Sequence, residues 1–193
     1  MLNYSVFIAA CDGGGTVKTL EEQMSFYAAY HQDARNKFSH FIGVPTIVLG
    51  VMVALGWLRV DVAGTQVSAA MAITAVLLAY YIRLDVALGL TMTVVFAALL
   101  YAAELVAALP IKEGMAWFLV LFIGGWIIQL VGHVYEGRKP ALVDNLFQIF
   151  VAPIFLCAEV FFALGYKPAL HQAVQKRALK MRAEAGVGQP TAA

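Results

Sequence analysis

The four histidines of this 193-residue chain, at positions 31, 40, 133 and 171, are the side chains best suited to metal chemistry. Imidazole nitrogens bind iron, zinc and copper. His31 and His40 precede the first apolar segment and His133 ends the fourth, so alternating crossings place these three on one membrane face. A lone interfacial histidine is usually only a satisfied polar side chain, but three on one face predict a metal site. His171 lies in a basic tail and is expected to be an ordinary surface residue.

Two carboxylates are candidates to complete this site. Glu136 follows His133 by three residues, a helical spacing that occurs in carboxylate–histidine metal sites. Glu136 could equally pair with Arg138 or Lys139. Glu159 lies within an apolar segment, where a buried acid is costly and therefore a functional candidate, as a ligand or as a partner that holds a histidine. The sequence leaves the choice between the two carboxylates open.

His31 and His40 are separated by nine positions, which places them on opposite faces of one straight helix. They converge only if the chain turns between them. Residues that favour such a turn lie nearby, namely Asn36, Ser39, Gly43 and Pro45.

The composition is that of a membrane protein. Hydrophobic residues make up 62% of the chain and charged residues 13%, whereas soluble domains average about 45–50% and about 25%. The mean hydropathy is +0.78. Five apolar segments approach the ~17–25 residues of a membrane-spanning helix: 41–58, 66–82, 86–109, 115–134 and 146–164. The net charge of +1 predicts no nucleic-acid partner, so membrane lipids are the expected surroundings.

The predicted fold is an all-α, polytopic membrane helix bundle with four crossings and a bent or re-entrant fifth apolar segment. Most lysines and arginines of the short loops fall on the histidine face, which the positive-inside rule makes cytoplasmic. A fifth crossing would export the basic tail, and Pro153 and Glu159 also disfavour a simple lipid-facing span. The alternative is a plain fifth crossing with an exported tail.

Thr19 and Glu22 form a capping-box pattern, which predicts a helix at this point. Leu20, Met24 and Tyr27 share one face of that helix, so we interpret it as an amphipathic helix at the membrane interface. The expected organisation is a flexible leader (1–17), a single membrane-embedded catalytic domain (18–168) and a basic, partly disordered tail (169–193). Both termini are expected on the cytoplasmic side.

Three stretches resemble the motifs of a membrane family once known only as a domain of unknown function. They are YHQDARNKFSH with GVP (residues 30–40 and 43–45), GWIIQLVGH continuing through EGRKPALVDNL (125–133 and 136–146), and APIF (152–155) followed by Glu159. The resemblance covers about residues 20–168. The second motif is long enough to be specific.

This family is that of the fungal 2-hydroxy fatty acid dioxygenase, and the resemblance implies its chemistry. It implies iron(II)-dependent α-oxidation, which shortens a 2-hydroxy fatty acid by one carbon with molecular oxygen as co-substrate. His31, His40 and His133 match the motif histidines, so the resemblance assigns iron use to them. It also implies a multi-pass membrane protein, in a bacterial inner membrane or in the endoplasmic reticulum of a eukaryote.

Charged and polar residues of the same segments are candidates to assist. Four cations at the histidine edge would hold the substrate carboxylate or serve only as membrane anchors: Arg35, Lys37, Arg138 and Lys139. Three polar residues are expected to hold the ligands in place by hydrogen bonds: Asn36, Asp144 and Asn145.

Two other classes of function remain alternatives. A small transporter or assembly protein would place polar groups near the bilayer midplane, whereas most polar residues here gather at one edge. Another lipid-modifying metalloenzyme, such as a hydroxylase or desaturase, would be expected to use many more histidines than four.

Overall fold

The computed structural model describes residues 19–141 and 147–186, and the expected leader, Asp144, Asn145 and the end of the tail lie outside these ranges. The helices are α1 (Leu20–Ala29), α2 (Ala34–Gly56), α3 (Ala69–Leu84), α4 (Val86–Ala107), α5 (Ile111–Glu136), α6 (Gln148–Ala163) and α7 (Pro168–Glu184). The predicted all-α class is confirmed. One short antiparallel hairpin, β1 (Arg59–Val62) and β2 (Thr65–Ser68), occupies a connection for which the sequence predicted no structure.

Helices α2 to α5 run alternately between two ends of a bundle. At one end, which we call the far end, the Ser68 hydroxyl before α3 donates to Glu104 of α4 over 2.5 Å, and Arg59 pairs with the same carboxylate. At the other, which we call the histidine end, Asp85 connects α3 to α4 and α5 ends at Glu136. Helices α2, α4 and α5 are long and apolar enough to cross a membrane. With 16 residues, α3 is shorter but joins the same two ends.

Helix α6 contacts the histidine end at both of its termini. Near its start, the Tyr81 hydroxyl donates to the carbonyl of Phe150 over 2.6 Å. Just beyond its end, Lys167 pairs with Asp85 over 2.7 Å. Helix α6 is continuous over its 16 residues, and a bent or re-entrant path of the fifth apolar segment stays a prediction. The count of four crossings stays a prediction.

Helix α1 begins with the predicted capping box, in which Thr19 and Glu22 exchange hydrogen bonds. Eight of its ten residues are buried, because α7 packs across it. Val174, Ala178 and Arg182 recur every fourth residue of α7 and form the buried stripe of that helix. The structure therefore makes α1 an internal element covered by α7 rather than a helix with one solvated face. Residues 169–184, assigned from the sequence to the basic tail, belong to this covering helix.

Small residues allow α2 and α5 to approach closely. A Cβ placed on Gly125 would meet Ile47 Cγ1 at 2.6 Å, and one on Gly132 would meet Asn36 Oδ1 at 2.7 Å and Ser39 Oγ more closely still. These contacts fix the register between the helices that carry His40 and His133.

Replacement of Gly132 by alanine is expected to destabilise the protein by about 1–3 kcal/mol, since the added methyl group overpacks the α2–α5 seam. Gly124→Ala is the matched control on the same helix, because a Cβ there meets nothing described within 4 Å. It should be neutral or stabilising by up to about 1 kcal/mol. Thermal unfolding of the two variants in detergent, followed by tryptophan fluorescence, measures the difference. Equal melting temperatures of the two variants would contradict the close packing of α2 against α5.

Candidate metal centre

Three structural elements bring the three predicted histidines together. His31 lies in the turn after α1, His40 in the second turn of α2, and His133 in the last turn of α5. Their ring centroids are 4.5, 5.0 and 5.1 Å apart, and one nitrogen of each lies within 4.8 Å of the others. All three side chains are buried. His171 is separate from this cluster and stacks on Phe162.

Hydrogen bonds to backbone carbonyls orient two of the rings. Nδ1 of His31 donates to the carbonyl of Tyr27, and Nδ1 of His40 donates to the carbonyl of Asn36, each over 2.8 Å. A carbonyl can only accept, so the proton of each neutral ring resides on Nδ1 and the lone pair on Nε2. This is the usual arrangement of metal-binding histidines.

The two Nε2 atoms then face each other with their lone pairs, at a distance of 3.2 Å. Two lone pairs at this distance repel unless a proton or a cation lies between them. His133 adds a buried Nδ1 that has no hydrogen-bond partner among the described residues. The donor set therefore fits a metal ion that accepts imidazole nitrogen.

Burial keeps the cluster in the form that binds a metal. Removal from water lowers the pKa of His31 well below its ordinary value, and the neighbouring His40 lowers it further. The Tyr27 ring stacks on His31 with centroids 3.9 Å apart, and Phe155 packs against Tyr27 at 4.6 Å. Neutral imidazole is the form that coordinates metals. The sequence marks Tyr27 as part of a helix face, and its spacing of four residues from His31 is the signal for this contact.

The chain turns between His31 and His40, as predicted, but the turn precedes the residues that were expected to form it. Helix α2 runs without interruption through all four residues expected to form the turn: Asn36, Ser39, Gly43 and Pro45. The chain instead turns between α1 and α2, where the Asp33 carboxylate caps α2 by accepting from the backbone N–H of Arg35 over 2.8 Å.

Glu136 organises this turn. Its Oε2 accepts the backbone N–H groups of Gln32 and Asp33, over 2.9 and 2.7 Å, and the side-chain amide of Asn36 over 3.2 Å. Its Oε1 accepts from Arg182 of α7 over 2.9 Å. The side chains of Glu136 and Arg182 are only 1% and 5% exposed. One carboxylate thus ties together the turn that carries His31, the helix end that carries His133, and α7.

Neither candidate carboxylate belongs to the histidine cluster as it is described over residues 19–141 and 147–186. Oε2 of Glu136 is held by donors around the turn, and its Oε1 by Arg182, a cationic partner that the sequence did not predict. Glu159 pairs with Lys37 over 2.9 Å. Each of the two carboxylates is paired with a cation. The candidate metal ligands that the structure brings together are therefore the three imidazoles.

The four cations proposed to hold a carboxylate occupy different positions. Arg35 is exposed, pairs with Asp33 and lies over the Tyr135 ring. Arg138 donates to the carbonyl of Ala29 over 2.7 Å. Lys139 is exposed. Lys37 is half-buried, and its positive charge contributes to the lowered pKa of His31, so it is the best placed of the four to act on the cluster.

Of the three polar residues expected to support the ligands, Asn36 is within the described part of the chain and does so. Its carbonyl accepts from His40, and its side-chain amide donates to Glu136. A cavity of about 40 Å³ opens beside the cluster, lined by His31, His40 and His133 together with Val44 and Val48. One water needs at least ~10–15 Å³, so this space holds a few atoms rather than a long chain.

The fold and the site define a helical membrane protein with a buried three-histidine centre at one end of its bundle. The chain belongs to the Mpo1-like family: the family model described as 2-hydroxy-palmitic acid dioxygenase Mpo1-like matches residues 17–164. A relative from Saccharomyces cerevisiae, named 2-hydroxy-palmitic acid dioxygenase MPO1, is 34% identical over 154 residues, which cover 78% of this chain and 84% of the relative. No solved structure matches. The resemblance found in the sequence is confirmed, and Arg182 lies beyond the matched range.

Proposed function

We propose that this protein is an iron(II)-dependent dioxygenase of 2-hydroxy fatty acids that shortens the acyl chain by one carbon. The observation that carries the proposal is the cluster of three buried histidines, two of which face each other through unprotonated nitrogens. The name of the yeast relative supplies the substrate class. The balanced reaction breaks the bond between C1 and C2: one acid and one O₂ give the acid one carbon shorter, carbon dioxide and water.

His31, His40 and His133 would hold the iron. When bound, iron(II) supplies the redox chemistry with oxygen and a Lewis acid for the hydroxyl and carboxylate of the substrate. Three protein ligands would leave coordination positions for oxygen and for the substrate. Glu136 and Asn36 keep the ligand-bearing turn in place, and Tyr27 stacks on His31 within the buried cluster.

The position of the site suits an amphiphilic substrate. The cluster lies at the end of the bundle where charged residues gather, so a carboxylate head can reach it from the membrane edge. Lys37 is half-buried and close enough to influence His31, and we assign it the role of neutralising that carboxylate, with Glu159 as its partner in the absence of substrate. The concentration of polar groups at one edge also favours interfacial chemistry over transport through the midplane.

Purified protein in detergent, supplied with 2-hydroxypalmitate, iron(II) and oxygen, is expected to form the acid one carbon shorter. The product is measured by mass spectrometry and the bound metal by elemental analysis. Palmitate, which lacks the 2-hydroxyl group, is the matched substrate control, and a chelator should abolish turnover. Protein that binds no iron and forms no shortened acid would contradict the proposal.

A further inference from the structure

A second cavity lies beside the histidine cavity and shares two side chains with it. It is a groove of about 290 Å³ between α2, α4 and α6, and Val44 and Val48 line both spaces. The groove is lined by apolar side chains apart from Thr91 and Cys157, and the Thr91 hydroxyl already donates to the carbonyl of Ala87. A space of this kind takes hydrocarbon.

The geometry of α2 connects the groove to the charged edge. Lys37, Phe41, Val44 and Val48 are spaced by four, three and four residues, so they form one stripe along the helix. Phe41, Val44 and Val48 line the groove. Lys37 lies one helical turn before Phe41, toward the N-terminus of α2, and pairs with Glu159 of α6. The stripe therefore begins with a cation and continues as an apolar wall.

A long-chain acid needs both spaces. The histidine cavity of about 40 Å³ accepts the reacting end but not a long acyl chain, whereas the groove of about 290 Å³ is about ten times the ~30 Å³ that a water occupies in the liquid. Among the described residues, Val44 and Val48 line both spaces, so the route between them passes these two side chains.

We infer that this groove between α2, α4 and α6 binds the acyl chain of the substrate, with the carboxylate end at the histidines and Lys37. The inference rests on the proposed function and adds the place of the hydrocarbon chain. A second apolar groove, between α3 and α6, is larger at about 490 Å³ but shares none of its described lining residues with the histidine cavity. It therefore serves as an internal control on the same protein.

The test is photo-crosslinking with 2-hydroxypalmitate that carries a diazirine near its methyl end, applied to the full chain in phosphatidylcholine nanodiscs. Mass spectrometry of the digested protein is expected to find adducts on the groove segments of α2, α4 and α6. An excess of 2-hydroxypalmitate should reduce them at least fivefold, and 2-hydroxybutyrate, which differs only in chain length, should not.

Two variants make the assignment specific. Val95 lines the groove on α4, whereas its neighbour Val94 does not line it and is more exposed. Val95→Trp should fill the groove, remove the competed adducts and raise the KM for 2-hydroxypalmitate at least fivefold. Val94→Trp should leave both unchanged. Both side chains are exposed, so neither substitution disturbs the core.

Three results would overturn the inference. The adducts could spread over the whole exposed apolar surface, they could concentrate on Ile73, Val76 and Phe147 of the other groove, or they could resist competition. Those results would show a bilayer lipid or another surface as the occupant. Turnover without groove adducts would agree with the proposed function but would show that the acyl chain does not bind in the groove. Competed groove adducts without turnover have the opposite meaning: the groove binds the acid and the proposed reaction is wrong.

Discussion

Alanine in place of His31, His40 or His133 is expected to reduce both bound iron and turnover of 2-hydroxypalmitate by at least about 100-fold, since even residues that only support metal ligands are worth 10–100-fold. Each substitution removes one of three donors whose nitrogens lie within 4.8 Å of one another. The metal content is measured on protein purified from cells grown with excess iron, and the activity by the rate of formation of the shortened acid.

His171→Ala is the control for this series. His171 stacks on Phe162 at the edge of α7 and contributes nothing to the cluster, so its removal should leave iron content and activity unchanged. Because the three cluster histidines are buried, melting temperatures are measured beside metal content to separate loss of ligation from loss of fold. A folded variant that keeps its iron would show that the replaced histidine is not a ligand.

The second large effect is expected at the buried pair Glu136 and Arg182. Removal of one partner of a buried ion pair costs about 3–5 kcal/mol, because the other charge is left uncompensated. Glu136→Ala also leaves the backbone N–H groups of Gln32 and Asp33 without their acceptor. The expected result is a large fall in the free energy of unfolding together with weaker iron binding, since the turn that holds His31 loses its anchor.

The matched control lies on the same helix, α7. Lys180 and Glu184 form an ion pair over 3.8 Å, but their side chains are 76% and 49% exposed. Glu184→Ala should therefore cost no more than about 0.5 kcal/mol. In a double-mutant cycle, Arg182→Ala combined with Glu136→Ala should cost clearly less than the sum of the two single changes. Additive losses of unfolding free energy, or a Glu136 variant as stable as the Glu184 variant, would contradict the role of Glu136 as the anchor of the turn.

Much of the arrangement follows from local patterns in the chain. The apolar segments are long enough to predict the membrane helices, and the spacing of Thr19 and Glu22 predicts the capping box at the start of α1. Alternation of the segments places three of the four histidines at the same end of the bundle. These features depend on residues close together in sequence or on a simple count of segments, so a single sequence suffices to find them.

The turn between His31 and His40 was predicted, but the residues that form it were not, because its stabilising partner is remote. Gln32 and Asp33 are fixed by Glu136, which lies 104 and 103 positions away. No local signal marks that contact. Gly43, which does look turn-forming, instead serves the close approach of α2 to α5.

The sequence by itself determined the family, the apolar helices and the grouping of three histidines at one end of the bundle, because composition, motifs and segment order are properties of the chain. Only the tertiary structure decided which groups the two carboxylates contact. A carboxylate becomes a ligand or an anchor according to which donors surround it, and Arg182 reaches Glu136 only because α7 folds across α1. The same packing decided that the chain beyond residue 168 supports the site, although its basic composition predicted a tail.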